Sequence, residues 1–222
     1  MTVPRHTLLV VAPHPDDETI ALGGTIHDHL GRGGSCEIVA VTDGEAADDE
    51  AGLDERVTLA QTRIAERAAA LERIGAAGVT VERLEYPDRQ VAEHVAKLER
   101  DLRGAFAALR RREPDCLVAL PWRDDPHPDH RACARAGIEA AIRAGVSYVE
   151  VPIWGWYDSR FRRRLSPSRV HRLPISRVGR GQKRAALQCF RSQLQPLSGG
   201  RGPVLPSDFV GAFDQGFEVL VR

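Results

Sequence analysis

The sequence predicts an α/β fold, a three-layer αβα sandwich with a mainly parallel sheet. Three observations carry that prediction. Short apolar, β-branched runs alternate with longer segments of helical periodicity from Thr7 to Val151. The connections between them are short, as right-handed βαβ units require. The first run is apolar without alternation, as in a strand covered on both faces.

Each element follows from its residues. Thr7 to Ala12 (TLLVVA) is unbroken by charge and reads as a buried strand. Pro13 and Pro15 end it and bracket His14; Asp16, Asp17 and Glu18 follow, and Ile20 begins an amphipathic helix running to about Gly31. Glu37 to Thr42 reads as a second strand, ended by Thr42-Asp43-Gly44 and an acidic loop through Glu45, Asp48, Asp49, Glu50 and Asp54. Glu55 to Ile74 has helical spacing and stops at Gly75 and Gly78. Val79 to Tyr86 is a third strand closed by Pro87-Asp88, and Val91 to Arg112 a long helix with Pro114 beyond its end. Cys116 to Leu120 is a fourth strand, 121–130 a polar loop, Arg131 to Ala144 a fourth helix, and Ser147 to Val151 a fifth strand.

The pattern weakens after Pro152. Trp154 to Arg164 mixes aromatics with arginines, and Pro167 to Gly181 carries prolines, glycines and basic residues. Gln182 to Leu194 reads as a helix, Leu197 to Ser207 as a Gly/Pro loop, and Phe217 to Val221 as a last strand. The expectation is one domain over 1–222, with a regular βα core to about 151 and an irregular remainder that completes it. The arginine-rich stretch 158–184 reads as a solvated face, with contact to an anionic substrate as the other reading. The aromatics Trp122, Trp154, Trp156 and Tyr157 read as core, with stacking on a sugar as the alternative.

At 222 residues, with 42% apolar and 28% charged, the chain can bury a core without disulfides. Basic and acidic residues balance at 31 each, so no net field points to nucleic acid or a membrane. No apolar run approaches the ~18 residues that span a bilayer, and the amino end leads into the first strand without room for a secretion leader. Cys36, Cys116, Cys133 and Cys189 form no CxxC pair and read as reduced residues of a cytoplasmic protein. Self-association is left open.

Two turns carry chemistry. The first holds His14, Asp16 and Asp17 at the end of a strand; the second, Asp124-Asp125-Pro126-His127-Pro128-Asp129-His130, follows the fourth strand. An aspartate can simply cap a helix, and a lone histidine is usually a surface or capping residue. One cap explains one aspartate only. Parallel strands end on one edge of the sheet, where such folds place ligands, so the two turns can meet. Two histidine–carboxylate sets there point to a metal. Nitrogen and oxygen donors without thiolate suit Zn²⁺, with Fe²⁺ or Co²⁺ also compatible. A catalytic zinc takes three protein ligands and keeps a place for a water that ionises near neutral pH. The remaining groups can then serve as base and proton donor.

Ala12-Pro13-His14-Pro15-Asp16-Asp17-Glu18 together with His127-Pro128-Asp129-His130 resembles the two signatures of the PIG-L/LmbE-type zinc-dependent deacetylases. A proline at 13 separates Ala12 from His14, where the usual signature runs A-H-P-D-D-E. Weaker matches are Thr42-Asp43-Gly44-Glu45, Arg63 and Glu66, Tyr86-Pro87-Asp88, Lys183, Ser192-Gln193 and Phe217-Glu218. The resemblance implies a Rossmann-like fold and removal of an acetyl group from a small N-acetylglucosamine-containing substrate. It implies that His14, Asp17 and His130 bind zinc and that Asp16 is the general base. His127 would donate to the leaving amine or stabilise the oxyanion, with Asp129 fixing its tautomer and raising its pKa. Arg63 and Asp88 would hold sugar hydroxyls. Some members carry an oxyanion-donating tyrosine two residues before the first histidine of the second signature; Asp125 stands there and cannot donate when ionised. Two rival readings are a zinc amidase acting on a small thiol conjugate and a non-catalytic Rossmann-like ligand-binding protein. Against the latter, the first strand-turn-helix lacks G-x-G-x-x-G and sets two aspartates where a phosphate would lie.

Overall fold

Every residue of β1 (Thr7–Ala12) is buried, and its side chains divide by parity between two cores. Leu8, Val10 and Ala12 join one, Leu9 and Val11 the other. Strand β4 (Leu117–Pro121) does the same with Leu117 and Ala119 against Val118 and Leu120. This is why neither strand alternates with polar residues. The structure is a computed structural model describing residues 7–197 and 200–222. The amino-terminal expectation for residues 1–6, and the part of the Gly/Pro loop at 198–199, lie outside the described residues.

The remaining strands are β2 (Ser35–Ala40), β3 (Thr80–Arg83), β5 (Ser147–Val151), β6 (Val170–Pro174) and β7 (Phe217–Val221). They form a seven-stranded sheet in the order β3-β2-β1-β4-β5-β7-β6. The pairs among β1 to β5 are parallel, and β7 runs antiparallel to both β5 and β6. The helices are α1 (Asp17–Gly31), α2 (Leu53–Arg73), α3 (Val95–Arg112), α4 (Pro128–Ala144), α5 (Trp154–Tyr157), α6 (Ser159–Arg162), α7 (Arg177–Leu187), α8 (Arg191–Leu194) and α9 (Ser207–Phe213). Helices α3 and α4 cover one face; α1, α7 and α9 contribute to the core on the other. Strand order reverses between β1 and β4, so the carboxyl ends of these two neighbours open onto a crevice. Both histidine–carboxylate turns leave from there.

The expected α/β sandwich is present, with differences at element ends. Helix α1 begins at Asp17 rather than Ile20, and α4 at Pro128 rather than Arg131, because each turn's carboxylates already belong to the first helical turn. Val91–His94 is a 3-10 turn ahead of α3. The helix expected over Gln182 to Leu194 is two, α7 and α8, the first beginning at Arg177 under a Ser176 cap. Strand β6 and helices α5, α6 and α9 fall where the sequence reading assigns no element. Strand β6 (VHRLP) is an edge strand with only Leu173 buried, so it carries no apolar run.

The C-terminal part is tied in by buried polar contacts. Glu218 on β7 accepts from the backbone N–H groups of Gly24 and Thr25 on α1, at 2.9 and 2.8 Å, and from Lys183 Nζ on α7 at 2.7 Å. Glu66 on α2 receives both the N–H and the hydroxyl of Ser192 at 2.7 Å. The weak family matches in this region are therefore tie points of the fold. Arg162, Arg163 and Arg164 are exposed, as a solvated face requires, while Arg180 and Arg184 pair with Asp214. Trp122 is buried with Leu165 and Val221, while Trp154, Trp156 and Tyr157 are half-buried against the core that holds Phe209. The four cysteines are free thiols. Among the described residues no helix is long and apolar enough to cross a membrane.

Candidate metal and catalytic site

The first turn is shaped by its backbone. Thr42, just past β2, gives its N–H and its hydroxyl to the carbonyl of Pro13 at 3.0 and 2.8 Å, pinning the exit of β1. Asp16 occupies the N-cap position of α1 but makes no capping bond, and its φ of 157° with ψ of −26° is rare outside glycine. Capping therefore does not account for Asp16. Asp17 Oδ2 accepts from the backbone N–H of His14 at 2.9 Å and lies 3.2 Å from His14 Nδ1. The same oxygen lies 3.2 Å from His130 Nε2. The two turns meet at this carboxylate.

Asp16 turns the other way, to Arg63 on α2, whose Nη2 donates to Oδ2 at 3.0 Å. Arg63 is buried and also reaches the carbonyls of Gly44, from Nη1 at 2.9 Å, and Pro15. Gly44 has φ of 70°, and a Cβ there would fall 2.1 Å from Arg63 Nη1. Only glycine permits that approach. Asp88 Oδ1 lies 3.2 Å from His14 Nε2, its Oδ2 accepts from Ala46 N–H at 2.9 Å, and its own N–H goes to Glu45 at 2.8 Å.

The second turn is built differently. Arg123 fastens its start to the buried Glu150 on β5, through its N–H at 2.8 Å and its guanidinium. Asp125, fully buried, accepts from the backbone N–H groups of His127 (3.0 Å), Ile153 (3.2 Å) and Gly155 (3.1 Å), joining the loops after β4 and β5. Its Oδ1 also lies 3.6 Å from His130 Nδ1, so it backs that histidine and donates nothing to the cavity. His127 caps α4: its Nδ1 accepts the N–H of Asp129 at 3.2 Å, which leaves the proton of a neutral ring on Nε2. The expected partnership of the two side chains is therefore corrected. The Asp129 carboxylate accepts from Arg89 N–H at 2.7 Å and lies 3.4 Å from His14 Nε2, so it serves the other turn's histidine.

Around one cavity of about 70 Å³ lie His14, Asp16, Asp17, Arg63, Asp88 and His127, with Arg89 beside them. His130 is completely buried beneath. Arg89 and Asp125 are site residues that sequence reasoning did not assign. Arg89 acts here through a backbone N–H held at φ of 65°, which no side-chain pattern signals. Asp125 could have been found by its place beside His127, but not its partners.

Burial and charge decide the protonation states. Burial would lower His14, but Asp129, Asp17 and Asp88 outweigh it and hold the ring well above the usual histidine range. Burial would raise Asp17; His130 and His14 hold it well below the usual carboxylate range. Burial, with the charges of Asp17 and Glu18, raises Asp16 to about 7, and Arg63 and His14 offset that only in part. Burial and the neighbouring His14 and His130 push His127 down to about 3, opposite to the expected rise, and Asp17 and Asp129 offset that only in part.

The donor set fits a divalent cation. Ring nitrogens of His14, His127 and His130 cluster within 4.8 Å of one another, as do donor atoms of His14, Asp88 and Asp129. Both ring nitrogens of His130 are buried without an aligned hydrogen bond. The 3.2 Å separations from Asp17 Oδ2 are close to the edge of a tetrahedron with bonds of ~2.0–2.1 Å, roughly 3.3 Å.

The family model described as PIG-L, GlcNAc-PI de-N-acetylase, matches residues 9–141, more than half of the chain. A diacetylchitobiose deacetylase of Thermococcus kodakarensis is 31% identical over 144 residues, covering 63% of this chain and 50% of that protein. A 1D-myo-inositol 2-acetamido-2-deoxy-alpha-D-glucopyranoside deacetylase of Rhodococcus erythropolis is 32% identical over 183 residues, covering 72% of this chain and 61% of that protein. The chain thus spans about half to three-fifths of the length of these curated relatives. Among solved structures, the zinc-inhibited form of teicoplanin deacetylase Orf2 superposes with a TM-score of 0.72 at 15% identity, covering 97% of each chain. That likeness establishes the fold.

Proposed function

We propose a function from the premise that the chain belongs to the PIG-L family of GlcNAc-PI de-N-acetylases. On this reading it is one hydrolase domain that removes the acetyl group from a small N-acetylated amino sugar, with His14, Asp17 and His130 holding a divalent ion. Nitrogen and oxygen donors favour Zn²⁺ and are compatible with Fe²⁺ or Co²⁺. The observation that carries the reading is the meeting of both turns at Asp17 Oδ2, with Asp16 and His127 left over at the same cavity. The relatives' names supply the substrate class. The free thiols favour a reducing compartment, as expected of a cytoplasmic enzyme.

An ion held there would polarise the amide carbonyl and lower the pKa of a nearby water. Asp16, raised to about 7, has the basicity to take the proton of the attacking water at neutral pH. Arg63 fixes its carboxylate and keeps a usable fraction ionised. His127, pushed towards its neutral form with its proton on Nε2, serves as the hydrogen-bond donor to the developing oxyanion that Asp125, at the position of the tyrosine, cannot be. Asp16 then returns its proton to the departing nitrogen as the C–N bond breaks, leaving acetate and a free amine. Arg63 and Asp88 line the same cavity, which supports their assignment to the sugar hydroxyls.

The test is metal analysis of the purified protein with a deacetylation screen over N-acetylated amino sugars. About one divalent ion per chain, and turnover lost on chelation and restored by Zn²⁺, are expected. Turnover that survives complete metal removal would overturn the reading.

A further inference from the structure

The cavity has two unlike walls. Arg63 on α2 and Asp88 after β3 line it from the β2 and β3 side of the sheet; Ile153 and Trp154 after β5, with Leu205 and the Phe209 that packs on Trp154, line it from the β5 side. The apolar wall is packed from behind. The Phe209 ring, fully buried, lies 4.4 Å from that of Trp154 and 5.1 Å from those of Tyr157 and Phe213. Leu205 is buried and its N–H donates to the carbonyl of Gln193 at 2.9 Å. Arg201, in the same loop, pairs with Asp48 and Asp49 of the acidic loop, so the segment is held from both ends.

We propose that this apolar wall receives the acyl group of the substrate, and that Leu205 and Phe209 limit that group to acetyl. The proposal rests on the N-deacylase reading above. The physical ground is the partition of the cavity. A sugar's hydroxyls need hydrogen-bonding partners, which the polar residues of the cavity offer and the apolar wall does not, while an acyl methyl loses nothing against leucine and phenylalanine. At ~10–15 Å³ per water-sized group, about 70 Å³ accommodates the atoms of an acetamido group, with the sugar ring beyond the mouth. A longer acyl chain must displace side chains already packed against one another.

The test compares kcat/KM for N-acetyl-, N-propionyl- and N-butyrylglucosamine on the metal-loaded wild type, Leu205→Ala and Leu205→Phe, with melting curves to confirm folding. The wild type should lose about tenfold or more for each added methylene. Leu205→Ala should narrow the acetyl-to-butyryl gap about tenfold, and Leu205→Phe should depress propionyl more than acetyl. An unchanged ratio in folded Leu205→Ala, or a wild type that cleaves butyryl within about twofold of acetyl, overturns the proposal. Thermal protection of the metal-loaded wild type by acetate, against butyrate at equal concentration, reads the same wall without turnover. Preference for acetate supports it and equal protection by butyrate overturns it. Absence of turnover on every N-acyl amine, with acetate still preferred, would instead sink the deacylase reading alone.

Discussion

The two turns look alike as strings, yet their side chains do different work. In the first, between β1 and α1, the carboxylates face charged groups: Asp17 meets two histidines and Asp16 meets Arg63. In the second, between β4 and α4, Asp125 holds backbone N–H groups of two loops behind His130, and Asp129 is lent to His14 across the crevice. The consequence is opposite protonation. Asp16 is pushed up to about 7 and His127 down to about 3, each towards its neutral form, because each is buried with too little compensating charge. Similar motifs at similar strand ends need not be chemical equivalents. The first turn supplies charge; the second supplies position.

Removing the point where the turns meet should have the largest effect. His14→Ala or His130→Ala is expected to lose both bound metal and activity, by more than the ~10–100-fold typical of a ligand's outer partner. Full metal occupancy in His130→Ala would detach the second turn from the ion.

Asp16→Asn comes next, with a loss of ~10²–10⁴-fold in turnover and metal retained. It also tests the charge balance in the chelated protein. A carboxyl whose folded pKa is raised stabilises the fold fully below its unfolded value, near 4, and loses that contribution as pH rises through about 7. Stability of the chelated wild type should therefore fall across that window, and Asp16→Asn should flatten the fall. Equal slopes in urea titrations of the two would contradict the assignment.

Asp129→Asn separates the turns more finely. Since its carboxylate serves His14 and the backbone N–H of Arg89, metal affinity should weaken by ~10–100-fold. Combined with His127→Ala, the loss in kcat/KM should be nearly additive. A double variant no worse than His127→Ala alone would restore the pairing of those two side chains.

Arg63→Lys should be the mildest, about tenfold. A lysine cannot hold Asp16 and the Gly44 carbonyl in one planar fork. The charge is kept but no longer held against Asp16 Oδ2, so the Asp16 pKa should rise and the acid limb of the kcat/KM profile move to higher pH. A shift to lower pH would reverse the sign assigned to Arg63.

Local pattern by itself determined a good part of this protein. The bounds of β1, β5 and β7, and the placing of both turns at strand ends, follow from short-range periodicity and proline stops. Such signals need no partner to be read, because burial on a strand or helix imprints a period on the residues themselves. Strand β6 carries no such imprint: it lies at the sheet edge with one buried residue and owes its conformation to its ladder with β7. The candidate residues His14, Asp16, Asp17, His127, Asp129 and His130 were legible as a set, but who faces whom was not. His14 and Asp129 are 115 positions apart, and their contact depends on β1 and β4 being neighbours at the point where strand order reverses. The partners of Asp125 and Asp129 were settled by which N–H groups the packed loops left exposed to them. Sequence supplies the chemistry available at such a crevice, and only tertiary packing decides which charge each group must live beside.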